Sequence, residues 1–218
     1  MNDPAETWPA QAVESLVDRL LRTGIDGAGP LASASDVAAN ALRAASTDEA
    51  AVERIIRNHV RMAASEGFFT GLGGFINLSV SLPVNVVAFH LIATRMVAAI
   101  AAVRGHDPTS DEVRTAVLLV LAEDDAGDIL RRAGVAVGTG RLTSFALRGL
   151  PPSVLMTVNK GVAFRVLVRL GQKGLSRFGR FVPGIGGVIG GAIDAMLMRR
   201  LGRRARAHFP RAAASEPA

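Results

Sequence analysis

No cysteine occurs among the 218 residues of this chain, and aromatic residues make up only 5% of it. The absence of cysteine excludes disulfide bonds, thiolate metal sites and thiol catalysis. Hydrophobic residues nevertheless reach 49%. Because β-sandwich strands favour aromatic and β-branched residues, this composition favours closely packed helices. We therefore predict an all-α fold with one ordinary hydrophobic core.

The first residues lack the pattern of a secretory signal peptide. Asp3 and Glu6 precede every Lys and Arg, whereas a signal peptide begins with a basic segment that is followed by an apolar one. We therefore expect a cytoplasmic location.

A segment of 28 residues, from residue 67 to residue 94, contains no charged side chain. It is long enough to cross a bilayer, but glycine, serine, asparagine and proline crowd its first two-thirds. A spanning helix needs every backbone group bonded internally, so a simple membrane anchor is disfavoured. We expect a glycine-rich segment followed by a buried helix that begins at Pro83, and an apolar partner such as lipid or another helix.

Other helices are indicated by apolar spacing and by capping residues. Residues 13–21 have the spacing of an amphipathic helix, which Gly24 should end. Ser46 and Glu49 have the spacing of a capping box for a further helix. Gly105 should end the helix that begins at Pro83.

A second glycine-rich helix is predicted after Pro183. Small residues repeat there at four-residue spacing, which lets another backbone pack closely. The glycines of this repeat are Gly186, Gly187, Gly190 and Gly191.

These elements predict a compact helical bundle around the two apolar helices that begin at Pro83 and Pro183. We divide the chain into an N-terminal helical extension (residues 1–45), a main helical domain (46–211) and a disordered tail (212–218).

Charge is distributed unevenly along the chain. Residues 1–128 hold 9 Arg and 17 acidic residues, whereas residues 129–218 hold 16 Lys and Arg and 2 acidic residues. The C-terminal half therefore meets phospholipid or nucleic acid, pairs with the acidic half, or is a solvated face. Its last basic stripe consists of Arg199, Arg200, Arg203, Arg204 and Arg206. Because no aromatic side chains are interleaved, we favour a membrane over nucleic acid as its partner.

Patterns for catalysis, cofactors and metals are weak. Gly184-x-Gly186 is followed by Ile189 where a dinucleotide fingerprint needs glycine. The acidic residues between 123 and 128 lack the glycine-turned loop of a calcium site. The four histidines have no zinc-binding spacing, and no serine lies in a nucleophile elbow. We expect no catalytic residue, no cofactor, no metal ion and no nucleic acid partner.

Polar residues in the two apolar helices are the candidates for ligand binding, namely Asn85, His90, Arg95 and Asp194. Arg95 and Asp194 are isolated charges that lie 12 and 11 residues after Pro83 and Pro183. If the two helices were parallel neighbours, these charges would meet in a buried ion pair. His90 is more simply explained as a buried histidine than as an acid or base catalyst.

Several motifs resemble the EcsC family of bacterial proteins, over roughly residues 50–210. They are GFFTGLGG at 67–74, SLP at 81–83, the segment from Gly105 to Pro108, the run from Pro183 to Gly191, and Arg199-Arg200-x-Gly202-Arg203. The resemblance implies an all-helical protein that gene context associates with membrane transport and secretion, without established catalytic residues. Asp194 departs from the family pattern, in which this position is often a neutral polar residue.

We therefore expect a non-enzymatic EcsC-like protein at the cytoplasmic face of the membrane, bound to lipid, a membrane protein or an apolar helix. The first alternative is a soluble carrier that encloses a hydrophobic small molecule between the Pro83 and Pro183 helices. A weaker alternative is a hydrolase that uses His90.

Overall fold

The computed structural model describes residues 10–72, 78–122, 126–132, 151, 154–155, 158 and 185–212. The helices with defined bounds are α1 (Ala10–Asp26), α2 (Ala34–Arg43), α3 (Asp48–Leu72), α4 (Leu78–Val103), α5 (Asp111–Ala122), α6 (Ala126–Arg132) and α7 (Ile185–His208). Within these described ranges no β-strand occurs, apart from the isolated bridge between Ala28 and Leu31. The predicted all-α fold is therefore confirmed.

The first helix runs past the glycine that was expected to end it. Gly24 lies inside α1 and packs against α4, where a Cβ atom on Gly24 would come within 2.7 Å of Thr94 Cγ2. The helix ends instead before Gly27, whose φ of +79° lies in the left-handed region that favours glycine.

The start of α3 corrects the capping box predicted at Ser46 and Glu49. Thr47 Oγ1 accepts a hydrogen bond from the backbone N–H of Ala50, at 3.1 Å, and α3 begins at Asp48. The Glu49 side chain is directed away from the cap because it accepts a charge-assisted bond from Arg104 Nη2 at 2.6 Å.

The helix expected to begin at Pro83 begins five residues earlier, at Leu78. Pro83 is its sixth residue, so the missing N–H removes one intrahelical bond near the start. At the other end Gly105 has φ +82°, and the N–H of His106 bonds to Ala101 O at 3.0 Å. This helix end is the glycine stop that the sequence predicted.

Among the described helices the most extensive contact joins α3 to α7, and the two helices are antiparallel. Glu53, near the start of α3, contacts Arg206 near the end of α7. Gly67, near the end of α3, lies against Gly190 near the start of α7.

The α3 and α4 helices are also antiparallel, because Glu49 contacts Arg104 and Met62 contacts Arg95. Since α3 runs opposite to both neighbours, α4 and α7 run parallel. This is the orientation that the hypothesis of an ion pair between Arg95 and Asp194 required.

Residues 93–101 of α4 are all buried, so this helix forms the centre of the core, as its apolar sequence indicated. Residues of α1 and α2, including Val17, Ile25 and Ala38, belong to the same core. The helices of the N-terminal extension thus share one core with the main domain, and the boundary at residue 45 stays a prediction. In the described part of the chain, no helix combines the length and apolarity needed to cross a membrane.

Candidate functional site

A group of polar side chains lies where α3, α4 and α7 meet. We call it the core polar cluster, and it consists of His59, Met62 and Glu66 of α3, Arg95 of α4 and Asp194 of α7. Close helix packing requires apolar contacts, so charged groups at this position need a specific explanation.

Arg95 is a buried cation, 6% exposed, in the middle of the apolar α4. Its Nη2 donates to Met62 Sδ at 3.7 Å, and its Nε is buried without a hydrogen-bond partner. Burial lowers the pKa of the Arg95 guanidinium. A thioether is a weak acceptor, so this contact leaves the positive charge uncompensated.

His59 lies beside Arg95 and is 3% exposed. Its Nδ1 is 2.8 Å from Ile55 O, so in the neutral ring Nδ1 carries the proton and Nε2 is an acceptor. Nε2 is buried without a hydrogen-bond partner. Burial lowers the pKa of His59 to about 4, against the hydrogen bond to Ile55 O, which raises the pKa, and with a smaller lowering contribution from the Arg95 charge. His59 is therefore neutral at physiological pH.

Two carboxyl groups occupy the other end of the cluster. Burial, and then the charge of Asp194, raises the pKa of Glu66 to about 7, while burial raises the pKa of Asp194 to about 6. The Asp194 carboxylate lies against Gly67, and a Cβ atom on Gly190 would be 2.9 Å from Gly67 O. The two glycines allow α3 and α7 to approach closely enough to bury both carboxyl groups in part.

The ion pair hypothesised between Arg95 and Asp194 is not formed. Glu49 contacts both Arg104 of α4 and Arg206 of α7, so Arg95 and Asp194 differ in level by only about three residues, or ~4.5 Å. The depth argument is therefore sound. No ion pair between them is present among the described side chains, however, because Asp194 is directed to Gly67 of α3 and Arg95 to Met62.

The other two predicted ligand residues also lie in α4. His90 is half-buried, and its ring centroid is 5.6 Å from that of Phe89 in an edge-on arrangement. The Asn85 side chain lies outside the described residues, although its backbone is part of α4. A ligand role for either residue stays a prediction.

The structure describes the surroundings of three of the four glycines in the α7 repeat. Gly187 and Gly191 are buried, while the surroundings of Gly186 lie outside the described residues. Gly190 makes a close approach to Gly67 of α3.

The predicted basic stripe divides into two groups. Arg199, Arg200 and Arg203 are exposed and Arg204 is half-buried. Arg206 instead forms ion pairs with Glu49 and Glu53 of α3. Arg206 therefore joins α7 to α3, and we do not include it in the candidate membrane surface.

A solvent-facing stripe follows α7 along one side, and we call it the α7 stripe. Val188 and Met196 are each 63% exposed, and Arg199 and Arg203 continue the same side of the helix. The stripe is thus apolar in its first half and basic in its second.

Further arginines adjoin the basic half of the stripe. Arg206 bonds to Glu53, and Arg57 lies one turn from Glu53 on the exposed side of α3. Arg54 and Arg61 are exposed on that side as well. Exposed arginines therefore lie on both helices, and the Glu53 carboxylate that joins the helices is already paired with Arg206.

The sequence did not indicate His59, Met62 or Glu66 as site residues. The available signal was the position of His59, four residues after Ile55 within the apolar stripe of α3. Among the described residues no group of three potential ligands could hold a metal ion, and residues 123–125 lie outside them.

Comparison with known proteins gives one match. A model of the EcsC protein family matches residues 11–137, which is more than half of the chain. The match begins and ends earlier than the motif resemblance over residues 50–210, and it includes nearly all of α1. No curated protein and no solved structure gave a match.

Proposed function

Since the chain belongs to the EcsC protein family, we propose that it is a non-enzymatic protein that binds anionic lipid at the cytoplasmic face of a membrane. The α7 stripe and the adjoining arginines of α3 are the binding surface. A link to transport or secretion is part of this proposal through the family resemblance.

The observation that carries the proposal is the order of residues along the α7 stripe. Val188 and Met196 are large apolar side chains in contact with water, although most such side chains are buried. Insertion among lipid acyl chains would remove them from water at about 25 cal/mol per Å². Arg199 and Arg203, next along the stripe, would then lie at the level of the phosphate groups.

Electrostatic attraction strengthens this contact. Each arginine near an anionic bilayer contributes about 1 kcal/mol at physiological salt. Arg54, Arg57 and Arg61 add to the charge of the stripe. Because salt screens such interactions, binding should weaken as ionic strength rises.

Vesicle co-sedimentation tests the proposal with the full chain. We expect binding to vesicles of phosphatidylglycerol and phosphatidylcholine, and little binding to phosphatidylcholine alone. The double variant Arg199→Gln/Arg203→Gln should bind about thirtyfold more weakly, since two charges contribute about 2 kcal/mol. Arg19→Gln/Arg22→Gln is the matched control, because it removes two exposed charges of α1. Equal binding by both variants and the unaltered protein would refute the proposal.

The apolar half of the stripe is tested separately with Met196→Ser, which should weaken binding without reducing its salt dependence. Val188 can be changed in the same way. A protein that stays in the supernatant and carries a stoichiometric lipid, detected by mass spectrometry, would favour the carrier alternative. No specific observation among the described residues favours the hydrolase.

A further inference from the structure

We infer that Arg95 and His59 form a binding site for an oxyanion, either a carboxylate or a phosphate group, between α3 and α4. This site is independent of the membrane surface proposed above. Met62, which covers it, lies on the side of α3 that contacts α4, whereas the α7 stripe faces solvent on another helix.

The guanidinium of Arg95 presents an edge that suits an oxyanion. Nε and Nη2 share one edge of the group and offer two parallel donors, the geometry that binds two oxygens of a carboxylate or phosphate. Among the described residues the one hydrogen-bond acceptor on this edge is Met62 Sδ, at 3.7 Å from Nη2, and Nε has no acceptor. Buried polar groups are nearly always hydrogen-bonded, so the missing acceptors point to a ligand.

No described side chain takes the place of this ligand. The two acidic residues of the core polar cluster do not fill this role. Asp194 lies against Gly67, and burial alone accounts for the raised pKa of its carboxyl group. The raised pKa of Glu66 arises from burial and from the charge of Asp194, not from Arg95. An uncompensated buried charge is strongly unfavourable, and an oxyanion would neutralise it.

His59 supplies the second polar atom of the site. Its Nε2 is an acceptor when the ring is neutral, so it can bind a protonated oxygen of a phosphate or carboxyl group. Alternatively, the ring takes up a proton from solvent and Nε2 donates to the anion. Arg95 is the charged group that perturbs the pKa of His59 in the structure, and a bound anion would offset it.

Access to the site is controlled by Met62. Met62 is 40% exposed, whereas Arg95, which it contacts, is 6% exposed. Methionine is flexible, so a rotamer change would uncover the guanidinium edge. The same oxyanion chemistry is offered by a free ion and by the head group of an amphiphile.

Ligand-dependent thermal stabilisation of the full chain tests the inference. Octanoate and inorganic phosphate are titrated separately, with sodium chloride at matched ionic strength as the reference. We expect a saturable rise in melting temperature with at least one of them. Octanoate alone would identify an amphiphile site and phosphate alone a site for the free ion. No saturable rise with either would overturn the inference.

Arg95→Met keeps the length of the side chain and removes its donors, so the apparent affinity should fall at least about tenfold. Arg114→Gln is the control, because Arg114 is a partly buried arginine of α5 paired with Asp26. Arg199→Gln/Arg203→Gln should bind octanoate and phosphate normally, which separates this site from vesicle binding. Unchanged affinity in Arg95→Met would overturn the inference.

If Arg95→Met does not fold, an NMR titration of the unaltered protein decides the question. The pKa of His59, about 4 without ligand, should shift when the site is saturated, upward if Nε2 donates to the anion and downward if neutral Nε2 accepts from a protonated oxygen. An unchanged pKa of His59 at saturation would show that the anion binds elsewhere.

Discussion

The carboxylate of Asp194 in α7 occupies the space that a side chain on Gly67 in α3 would fill. A Cβ atom at Gly67 would overlap Asp194 Oδ2 and lie 3.0 Å from Gly190 O. The contact between the two helices therefore depends on the absence of a side chain, and the buried carboxyl group depends on that contact.

Gly67→Ala should destabilise the protein by about 1–3 kcal/mol, because the new methyl group meets the backbone of Gly190 as well as a carboxylate. The measurement is the free energy of unfolding in urea. Gly127→Ala in α6 is the control, since its Cβ would lie 3.7 Å from the nearest atom, Arg131 Nη1. The control should be neutral or stabilising by up to about 1 kcal/mol. Equal effects of the two substitutions would contradict the close packing of α3 and α7.

Glu66→Gln should stabilise the protein at pH 8 and have little effect near pH 4. The pKa of Glu66 is raised to about 7 in the folded protein, so the folded state holds its proton more tightly than the unfolded state. The stability that this group contributes is present below its unfolded pKa and is lost as the pH rises through about 7. A shift of this size corresponds to about 3 kcal/mol, and solvent screening of a half-buried group reduces the expected gain to about 1–2 kcal/mol.

Thermal unfolding of both proteins from pH 4 to pH 8 measures this difference. Glu53→Gln is a useful comparison, because Glu53 is an exposed carboxylate of the same helix and pairs with Arg206. It should not stabilise the protein at pH 8. A constant difference between Glu66→Gln and the unaltered protein at all pH values would show that Glu66 does not titrate in this range.

Glu49→Gln should destabilise the protein by about 1–2 kcal/mol, since one carboxylate contacts Arg104 of α4 and Arg206 of α7. The side chain of Arg104 is 11% exposed and would be left without its counter-charge. Asp18→Asn, which breaks the exposed pair with Arg22, should change stability by less than about 0.5 kcal/mol. Denaturant midpoints of the two variants that differ by no more than the experimental error would argue against a structural role for Glu49.

Local sequence signals predicted the features that depend on short segments. The apolar residues of α4 predicted a central helix, and Gly105 predicted its end, because a left-handed residue is needed there. The capping box at Ser46 was wrong since Glu49 gains more from two arginines that are distant in sequence. Local spacing contains no information about such partners.

The core polar cluster shows the same limit. The depths of Arg95 and Asp194 were predictable from helical rise, and the parallel orientation of their helices agrees with that argument. The rotation of each side chain was not predictable, because it depends on the space left by Gly67 on a third helix. The effects of Arg95→Met and Asp194→Leu on the free energy of unfolding should therefore be nearly additive, in contrast to the coupling expected for an ion pair.

The pairing of α3 with α7 also determines when the bundle can be completed during synthesis. Asp48 and Ile185, the first residues of these helices, are about 137 positions apart. At about 5–20 residues per second, α3 emerges from the ribosome roughly 7–27 s before its main neighbour begins to appear. Throughout that interval Ile56 has no Gly202 to pack against. The nascent chain must therefore keep an apolar helix surface from aggregating until its C-terminal part has been made.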